Sequence, residues 1–238
     1  EFSSNIFIKA ENLQKIGAFK FRGAMNSILK LNNDKKNVLA WSSGNHAQAI
    51  ASACYLTNKN ATIVMPEDSP NAKLNGTKSW GANIVTFDRY SESREEIGTN
   101  LAKEINAEII PPFDHPDVIN GQGTVGYEIV SDFKNNNIQP DLVLCCCGGG
   151  GLIAGVSTAI KAEYTNVPIY AVEPEDYNDT YLSLRDNKIT EVDVSKKSIC
   201  DSLLASKPGE LTFSINKENL SGSLLVSDLE ALKAMKYA

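Results

Sequence analysis

Short apolar runs alternate with longer amphipathic stretches along most of the 238-residue chain. The runs at residues 38–41, 61–65 and 83–87 have the length of buried strands. Between the runs, apolar residues recur at helical spacing, as over residues 45–56 and 152–164. Apolar strands separated by amphipathic helices are typical of a parallel sheet covered on both faces. The pattern therefore predicts an α/β fold.

Predicted elements extend along the whole chain, with two breaks that are candidate domain crossings, the Pro111-Pro112 turn and residues 35–38. Near the end, Ser227 and Glu230 form a capping box that opens a helix, and no stop signal follows before Ala238. The chain also lacks an initiator Met, so we expect a piece of a longer protein, incomplete at both ends. Strands are predicted at residues 38–41, 61–65, 83–87, 108–110, 142–146 and 168–173, and helices at 45–56, 71–80, 92–105 and 152–164, with another near Lys20.

Composition narrows the classes of partner and compartment. The net charge is -6 and the pI about 5.1, which argues against nucleic acid or an anionic membrane as the main partner. No apolar run is long enough to span a bilayer. Of five cysteines, Cys145, Cys146 and Cys147 are consecutive in an apolar run, which fits neither a disulfide framework nor a zinc-ligand spacing. We therefore expect a protein of the reducing cytoplasm, and a small phosphorylated ligand stays compatible with its charge.

Four consecutive glycines, Gly148, Gly149, Gly150 and Gly151, stand between a predicted strand and a predicted helix. Glycine lets the backbone approach a ligand closely and adopt positive φ. The backbone N–H groups and the positive end of the helix dipole can then hold a phosphate without a lysine. The run is neither a Walker A loop nor a Gly-x-Gly-x-x-Gly fingerprint. The alternative is a flexible turn, which the flanking strand and helix disfavour.

The polar segment Ser42-Ser43-Gly44-Asn45-His46 follows the first predicted strand and opens the next helix. Ligands of open α/β sheets bind at such positions, near the carboxyl ends of strands. The Asn45 amide offers a donor and an acceptor, and the serine hydroxyls can bind an anion or relay a proton. Simple N-capping by Ser43 or Asn45 is the alternative explanation. At such a position His46 is more often a packing residue than a base.

Lys20 lies between Phe19 and Phe21, near the start of a predicted amphipathic helix. A cation there is unfavourable against the helix dipole, which favours the neutral amine. The neutral amine is the form that builds a Schiff base. The alternative, a solvated surface lysine, is the interpretation that we prefer for Lys15.

In this order and spacing, the three segments resemble fold-type II enzymes that use pyridoxal 5'-phosphate (PLP), specifically the threonine/serine dehydratase and serine racemase group. The resemblance rests on Lys15-x-Gly-Ala-Phe-Lys20-x-Arg22-Gly23-Ala24, on the segment 42–46 and on the four glycines, and it covers nearly the whole chain. It implies two open parallel-sheet α/β domains, as in tryptophan synthase β. Residues 1–36 and 113–238 would form an incomplete large domain that binds PLP, and residues 37–112 a small domain that carries segment 42–46.

The resemblance also implies an activity, the elimination of water and ammonia from L-threonine or L-serine to give a 2-keto acid. Lys20 would hold PLP as a Schiff base and then remove the α-proton of the substrate. Ser43 lies where racemases of the group place the acid/base of the opposite face, so some racemase side activity is expected. The other roles carried over are PLP binding by Phe19, Asn45, Gly148, Gly149, Gly150 and Gly151, and grip on the substrate carboxylate by Ser42, Ser43, Gly44, Asn45 and His46.

A divalent-cation site of the racemase-like branch matches Glu173, Asp179 and the backbone carbonyl of Tyr177. Two carboxylates and a carbonyl suit Mg²⁺ or Ca²⁺ in a structural role, whereas the alternative is an acidic loop. One feature of the group has no match, because no Ser-Gly-Gly-Asn-like segment that would bond the pyridine nitrogen occurs before Ala238.

Several readings stay open from the sequence. Serine racemase and 3-hydroxyaspartate dehydratase share every motif named above, and the substrate could be serine, threonine or hydroxyaspartate. From another class, a non-catalytic nucleotide-binding α/β domain explains the glycines but gives Lys20 no task. We expect a homo-oligomer of the full-length protein, with a small amino acid as the substrate and no nucleic-acid or membrane partner.

Overall fold

The computed structural model of the protein describes residues 5–237, which form two sheets flanked by helices. All strand pairings in both sheets are parallel, which confirms the predicted α/β class. No helix in the described range is long and apolar enough to cross a membrane. The domain boundaries drawn at residues 37 and 112 stay a prediction. The helices are α1 Lys20–Leu29, α2 Asn45–Leu56, α3 Asn71–Lys78, α4 Arg94–Glu104, α5 Pro116–Asn135, α6 Gly151–Glu163, α7 Asp179–Asp186, α8 Glu210–Asn219 and α9 Asp228–Tyr237, and the strands are β1 Asn37–Trp41, β2 Asn60–Pro66, β3 Asn83–Phe87, β4 Ala107–Ile109, β5 Val143–Cys146, β6 Ile169–Pro174 and β7 Gly222–Val226.

The first sheet has four strands in the order β3-β2-β1-β4, and its two central strands, β1 and β2, are buried on both faces. In β1, Val38 and Ala40 pack into the apolar cluster formed with α2, whereas Leu39 packs into a second cluster that includes Ala102 of α4. Successive strand residues point to opposite faces, so burial of both faces explains the continuous apolar run. Because β1 and β4 are adjacent and parallel, the segments that follow Trp41 and Ile109 leave the sheet at the same edge.

The second sheet has three strands in the order β5-β6-β7. Its central strand β6 pairs with both neighbours, with Ala171 opposite Cys145 on one side and Ser223 on the other. Helix α6 covers this sheet with Ile153 and Ile160, which are fully buried. The chain runs from the carboxyl end of β5 through the four glycines into α6.

Helix α5, the longest helix described, is absent from the elements that periodicity predicts. Its glycines interrupt the apolar pattern but permit very close packing of α5 against α1 and α6. A Cβ added at Gly121 would lie 2.6 Å from the Arg22 carbonyl oxygen, and one added at Gly155 of α6 would lie 2.4 Å from the Ile119 carbonyl oxygen. Helices α7 and α8 and strand β7 were not predicted either.

The segment before α1 consists of two short 3₁₀ turns, at Glu11–Leu13 and Lys15–Gly17. The Arg22 guanidinium of α1 binds the Glu11 carboxylate, with Nε 2.8 Å from Oε2, and the Glu128 carboxylate of α5, with Nη1 2.6 Å from Oε1. Three separate parts of the chain are thereby joined just beyond the start of α1. Lys15 is exposed, as predicted for a solvated lysine.

Candidate active site

The glycine loop, Gly148–Gly151, lies at the carboxyl end of β5 and leads directly into α6. Gly150 has φ +89°, a left-handed conformation that favours glycine. A Cβ on Gly149 would lie 2.4 Å from the Phe113 ring, so close packing excludes a side chain there as well. Within residues 5–237, the N–H groups of Gly148, Gly149 and Gly150 donate to no protein acceptor. Free N–H groups at a helix start form a site for an anion such as phosphate.

Lys20 is the first residue of α1, where the helix dipole opposes a positive charge. Its Nζ donates a hydrogen bond of 2.6 Å to the Pro112 carbonyl oxygen. Burial lowers the pKa of Lys20 to about 8, and the nearby Cys146 thiolate acts in the opposite direction. The Phe19 ring centroid lies 5.3 Å from Nζ. A substantial fraction of this amine is therefore neutral near physiological pH.

The residues that follow β4 connect Lys20 to the glycine loop. Pro112 accepts the hydrogen bond from Lys20, and the adjacent Phe113 packs its ring and Cβ against Gly149 and Gly151. The amine and the N–H groups therefore border the same two residues. Lys20 and the glycine loop are therefore close to one another, whereas the roles that the sequence analysis assigns to them stay predictions.

Segment 42–46 connects the end of β1 to the first two residues of α2, at the sheet edge from which the chain also continues to Pro112. Helix α2 begins at Asn45, and Gly44 precedes it without any side-chain cap, so neither Ser43 nor Asn45 is an N-cap. The Ser42 hydroxyl accepts a hydrogen bond of 3.2 Å from the Gly44 N–H. Within the described chain the side chains of Ser43 and Asn45 make no hydrogen bond, which leaves both able to bind a ligand.

His46 has a different environment from its neighbours. The ring is buried, and its Nε2 donates to the Ile110 carbonyl oxygen at 2.8 Å. Burial, and secondly the charge of Lys20, lower the pKa of His46 to about 3, although the bond to Ile110 opposes both effects. A neutral, hydrogen-bonded ring of this kind holds segment 42–46 against the residues that follow β4. Contact between His46 and the substrate stays a prediction.

Of the three residues of the predicted cation site, Glu173 lies in β6, Asp179 begins α7 and Tyr177 lies in the turn between them. The Glu173 carboxylate accepts hydrogen bonds from the Thr180 N–H at 2.8 Å and the Tyr181 N–H at 2.9 Å. Asp179 is fully buried, and within residues 5–237 neither of its carboxylate oxygens has a hydrogen-bond partner. Burial, together with the charge of Glu173, raises the pKa of Asp179 to about 8. A buried carboxylate without a partner requires a proton or a cation nearby.

This cluster offers a cation two carboxylate side chains, those of Glu173 and Asp179. The part of the chain that the structure describes contains no group of three or more His, Cys, Asp or Glu side chains able to hold a metal ion. A cation would therefore depend on Glu173, Asp179, the Tyr177 carbonyl and water. The Tyr177 side chain is buried, and its hydroxyl donates to the Lys196 carbonyl oxygen at 2.5 Å, the shorter of its two contacts, which holds the turn that contains Tyr177 in place.

Four residues at the glycine loop are missed by the sequence analysis. Phe113 and Asp114 follow the Pro111-Pro112 turn, whereas Thr212 and Asn216 belong to the unpredicted helix α8. Thr212 and Asn216 both hydrogen-bond carbonyl groups of the loop. A signal was present, because Pro208-Gly209-Glu210 is a plausible helix start. Periodicity alone did not indicate that this helix packs against the glycines.

Residues 1–238 match the family described as pyridoxal-phosphate dependent enzyme. An L-threo-3-hydroxyaspartate ammonia-lyase of Saccharomyces cerevisiae is 45% identical over 98% of this chain and 71% of its own length. A serine racemase of Schizosaccharomyces pombe is 41% identical over 100% of this chain and 72% of its own. A crystal structure of T.th. threonine deaminase superposes with a TM-score of 0.90 and 40% identity, covering 96% of this chain and 73% of that one.

Proposed function

The chain belongs to the pyridoxal-phosphate-dependent enzyme family and has its type II fold, and we propose that it is an ammonia-lyase acting on β-hydroxy amino acids. L-threonine and L-serine are the proposed substrates, and a 2-keto acid and ammonia the products. The observation that carries the proposal is the position of the Lys20 amine. Burial lowers its pKa, and it donates a hydrogen bond to the Pro112 carbonyl oxygen. The next residue, Phe113, packs against the glycine loop.

The residues at the site fit pyridoxal phosphate. The N–H groups of Gly148–Gly151 would hold its phosphate, Lys20 would bind its aldehyde carbon, and Asn45 would bond its 3'-hydroxyl. When bound, the cofactor supplies a conjugated ring that accepts the electron pair left on the substrate α-carbon. The Phe19 ring, next to Lys20, would exclude water from one side of the amine.

Lys20 would also act as the general base that removes the α-proton of the substrate. A general base works best when its pKa is near the working pH, and the pKa of Lys20 is about 8 rather than 10.5. Segment 42–44 would bind the substrate carboxylate, while the neutral His46 ring keeps this segment in place through its bond to Ile110.

Two other activities have specific support. The hydroxyaspartate ammonia-lyase, at 45% identity, makes L-threo-3-hydroxyaspartate a second candidate substrate. The serine racemase, at 41% identity, supports a racemase side activity in which Ser43 transfers a proton on the face opposite to Lys20. The Ser43 hydroxyl is available for that task, since it bonds to nothing in the described chain.

A panel of substrates tests the proposal. Keto-acid release would be measured with L-serine, L-threonine and L-threo-3-hydroxyaspartate, using protein loaded with pyridoxal phosphate and the Lys20→Ala variant as control. We expect release that Lys20→Ala abolishes. No release from any of the three would contradict the lyase, and the substrate with the highest kcat/KM identifies the preferred one.

The racemase side activity needs a separate measurement. D-serine formed from L-serine would be followed for the wild type and for Ser43→Ala. Formation by the wild type above the Ser43→Ala level supports the role of Ser43, whereas equal levels would reject it.

A structural cation at Glu173 and Asp179 completes the proposal. The unpartnered Asp179 carboxylate beside Glu173 fits Mg²⁺ or Ca²⁺, both of which prefer oxygen ligands. Cys147, the residue after β5, is close to this pair, since its thiol lies 3.3 Å from the hydroxyl of Thr180, the residue after Asp179. A cation there would stabilise the turn between β6 and α7 and would take no part in the reaction.

A further inference from the structure

The carbonyl groups of the glycine loop are bound by helix α8. The Thr212 hydroxyl donates to the Gly149 carbonyl oxygen at 2.8 Å, the shorter of its two contacts, since the Gly209 carbonyl lies at 3.2 Å. The Asn216 Nδ2 donates to the Gly150 carbonyl oxygen at 3.3 Å. Thr212 and Asn216 are one helical turn apart and essentially fully buried. Helix α8 therefore binds the carbonyl groups of two consecutive residues of the loop.

Fixing a carbonyl also fixes the N–H that follows it. A trans peptide unit is planar, and its C=O and N–H bonds point in opposite directions. When Thr212 holds the Gly149 carbonyl toward α8, the Gly150 N–H must point away from α8. The Gly150 carbonyl oxygen accepts hydrogen bonds from the Ala154 N–H of α6 at 2.9 Å and from Asn216 at 3.3 Å, and these two bonds together fix the direction of the Gly151 N–H. These are N–H groups of the loop assigned to the cofactor phosphate.

Helix α8 is itself held by a residue from another part of the chain. Its N-terminus has no side-chain cap from the preceding residue, Gly209. Instead, the Asp114 carboxylate accepts hydrogen bonds from the N–H groups of Glu210 at 3.1 Å, Leu211 at 2.9 Å and Thr212 at 3.1 Å. An acceptor at the first turn satisfies donors that would otherwise lack partners and complements the helix dipole.

Asp114 also connects α8 to the segment that packs against the glycine loop. It directly follows Phe113, whose ring packs on Gly149, and Phe113 follows Pro112, which binds Lys20. A single short segment therefore fixes the position of the amine, of one wall of the loop and of the helix that binds the loop carbonyls.

We infer that Asp114, Thr212 and Asn216 are positioning residues that aim the N–H groups of the glycine loop at the cofactor phosphate. None of them would touch the phosphate. They act through the peptide groups of Gly149 and Gly150. The inference rests on the family's cofactor and on the loop as its phosphate site, and it does not depend on which amino acid is the substrate.

The test compares the cofactor with its analogue that lacks the phosphate. Apo protein would be titrated with pyridoxal phosphate and with pyridoxal, following the absorbance of the Lys20 adduct, for the wild type, Thr212→Val and Thr212→Ser. The valine is isosteric but has no hydroxyl, and the serine keeps the hydroxyl. We expect Thr212→Val to raise the Kd for pyridoxal phosphate about 3- to 10-fold, in line with the loss of one hydrogen bond. The Kd for pyridoxal should change less than about 2-fold, and Thr212→Ser should restore phosphate affinity.

A second variant guards against misfolding. Asn216→Leu removes the bond to Gly150 together with the Asn216 Oδ1, a buried acceptor that has no partner in the described part of the chain. Replacement by an apolar side chain of similar size should therefore cost little stability. We expect an unchanged Tm, a weaker affinity for pyridoxal phosphate only, and a displaced ³¹P chemical shift of the bound cofactor. Equal loss of both affinities would indicate a merely structural role and overturn the inference, as would wild-type affinity in both variants. An inactive protein that keeps this phosphate selectivity would instead reject the proposed lyase.

Discussion

Replacement of Gly149 by alanine tests the contact between the glycine loop and Phe113. The new Cβ would lie 2.4 to 2.5 Å from three atoms of the Phe113 ring. Carbon atoms in contact are usually about 3.5–4.0 Å apart, so the ring or the loop must move by about 1 Å. Overpacking of this kind costs about 1–3 kcal/mol. For a chain of this size, each kcal/mol lowers Tm by about 2–4 °C, so we expect a decrease of roughly 2–12 °C.

The same displacement should weaken cofactor binding, because the two chain neighbours of Phe113 would move with it. Pro112 accepts the hydrogen bond from Lys20, and Asp114 caps α8. The measurements are differential scanning calorimetry of the apo protein and a titration with pyridoxal phosphate. Gly76→Ala in α3 is a matched control, since its Cβ would meet only the flexible end of Gln48, at 3.2 Å. The Phe113→Leu change should partly rescue Gly149→Ala in a double-mutant cycle. Wild-type Tm and affinity in Gly149→Ala would refute the contact.

Three further predictions follow from individual groups. The rate at which apo protein captures pyridoxal phosphate should rise with pH around a midpoint of about 8, because Lys20 loses its proton there; a midpoint near 10.5 would contradict its burial. The His46 ring should stay neutral between pH 5 and 8, since its pKa is about 3, and NMR should show no titration of that ring; a midpoint near 6.5 would indicate an exposed ring. Chelation with EDTA should lower the Tm of the wild type but not of Asp179→Asn, and an unchanged wild-type Tm would exclude the cation.

Much of the fold follows from hydrophobic pattern, and the exceptions share a cause. Helix α2 and strand β3 have the predicted bounds, because apolar residues recur at helical spacing in α2 and form a short run in β3. Helix α5 was missed because Gly121 and its other glycines replace apolar residues at the contacts with α1 and α6. At these contacts the helix backbones touch each other directly. Helix prediction from the spacing of apolar side chains cannot detect a contact in which no side chain takes part.

The candidate residues could be predicted where a single short segment contains the reactive or ligand-binding groups. Lys20, segment 42–46 and the glycine loop each follow a strand or begin a helix, and such positions are visible in the sequence. Asp114 and Thr212 were not predictable, because their significance comes from bonds between residues about a hundred positions apart. An aspartate after a proline turn gives no sign of the helix that it caps.

The central claim is that Lys20 carries the cofactor, and borohydride reduction tests it directly. Protein loaded with pyridoxal phosphate would be reduced, digested and analysed by mass spectrometry. We predict a pyridoxyl group on Lys20, none on the exposed Lys15 five residues before it, and no label at this position in Lys20→Ala. A label on Lys15, or a colourless protein that binds nucleotide and takes up no label, would contradict the account.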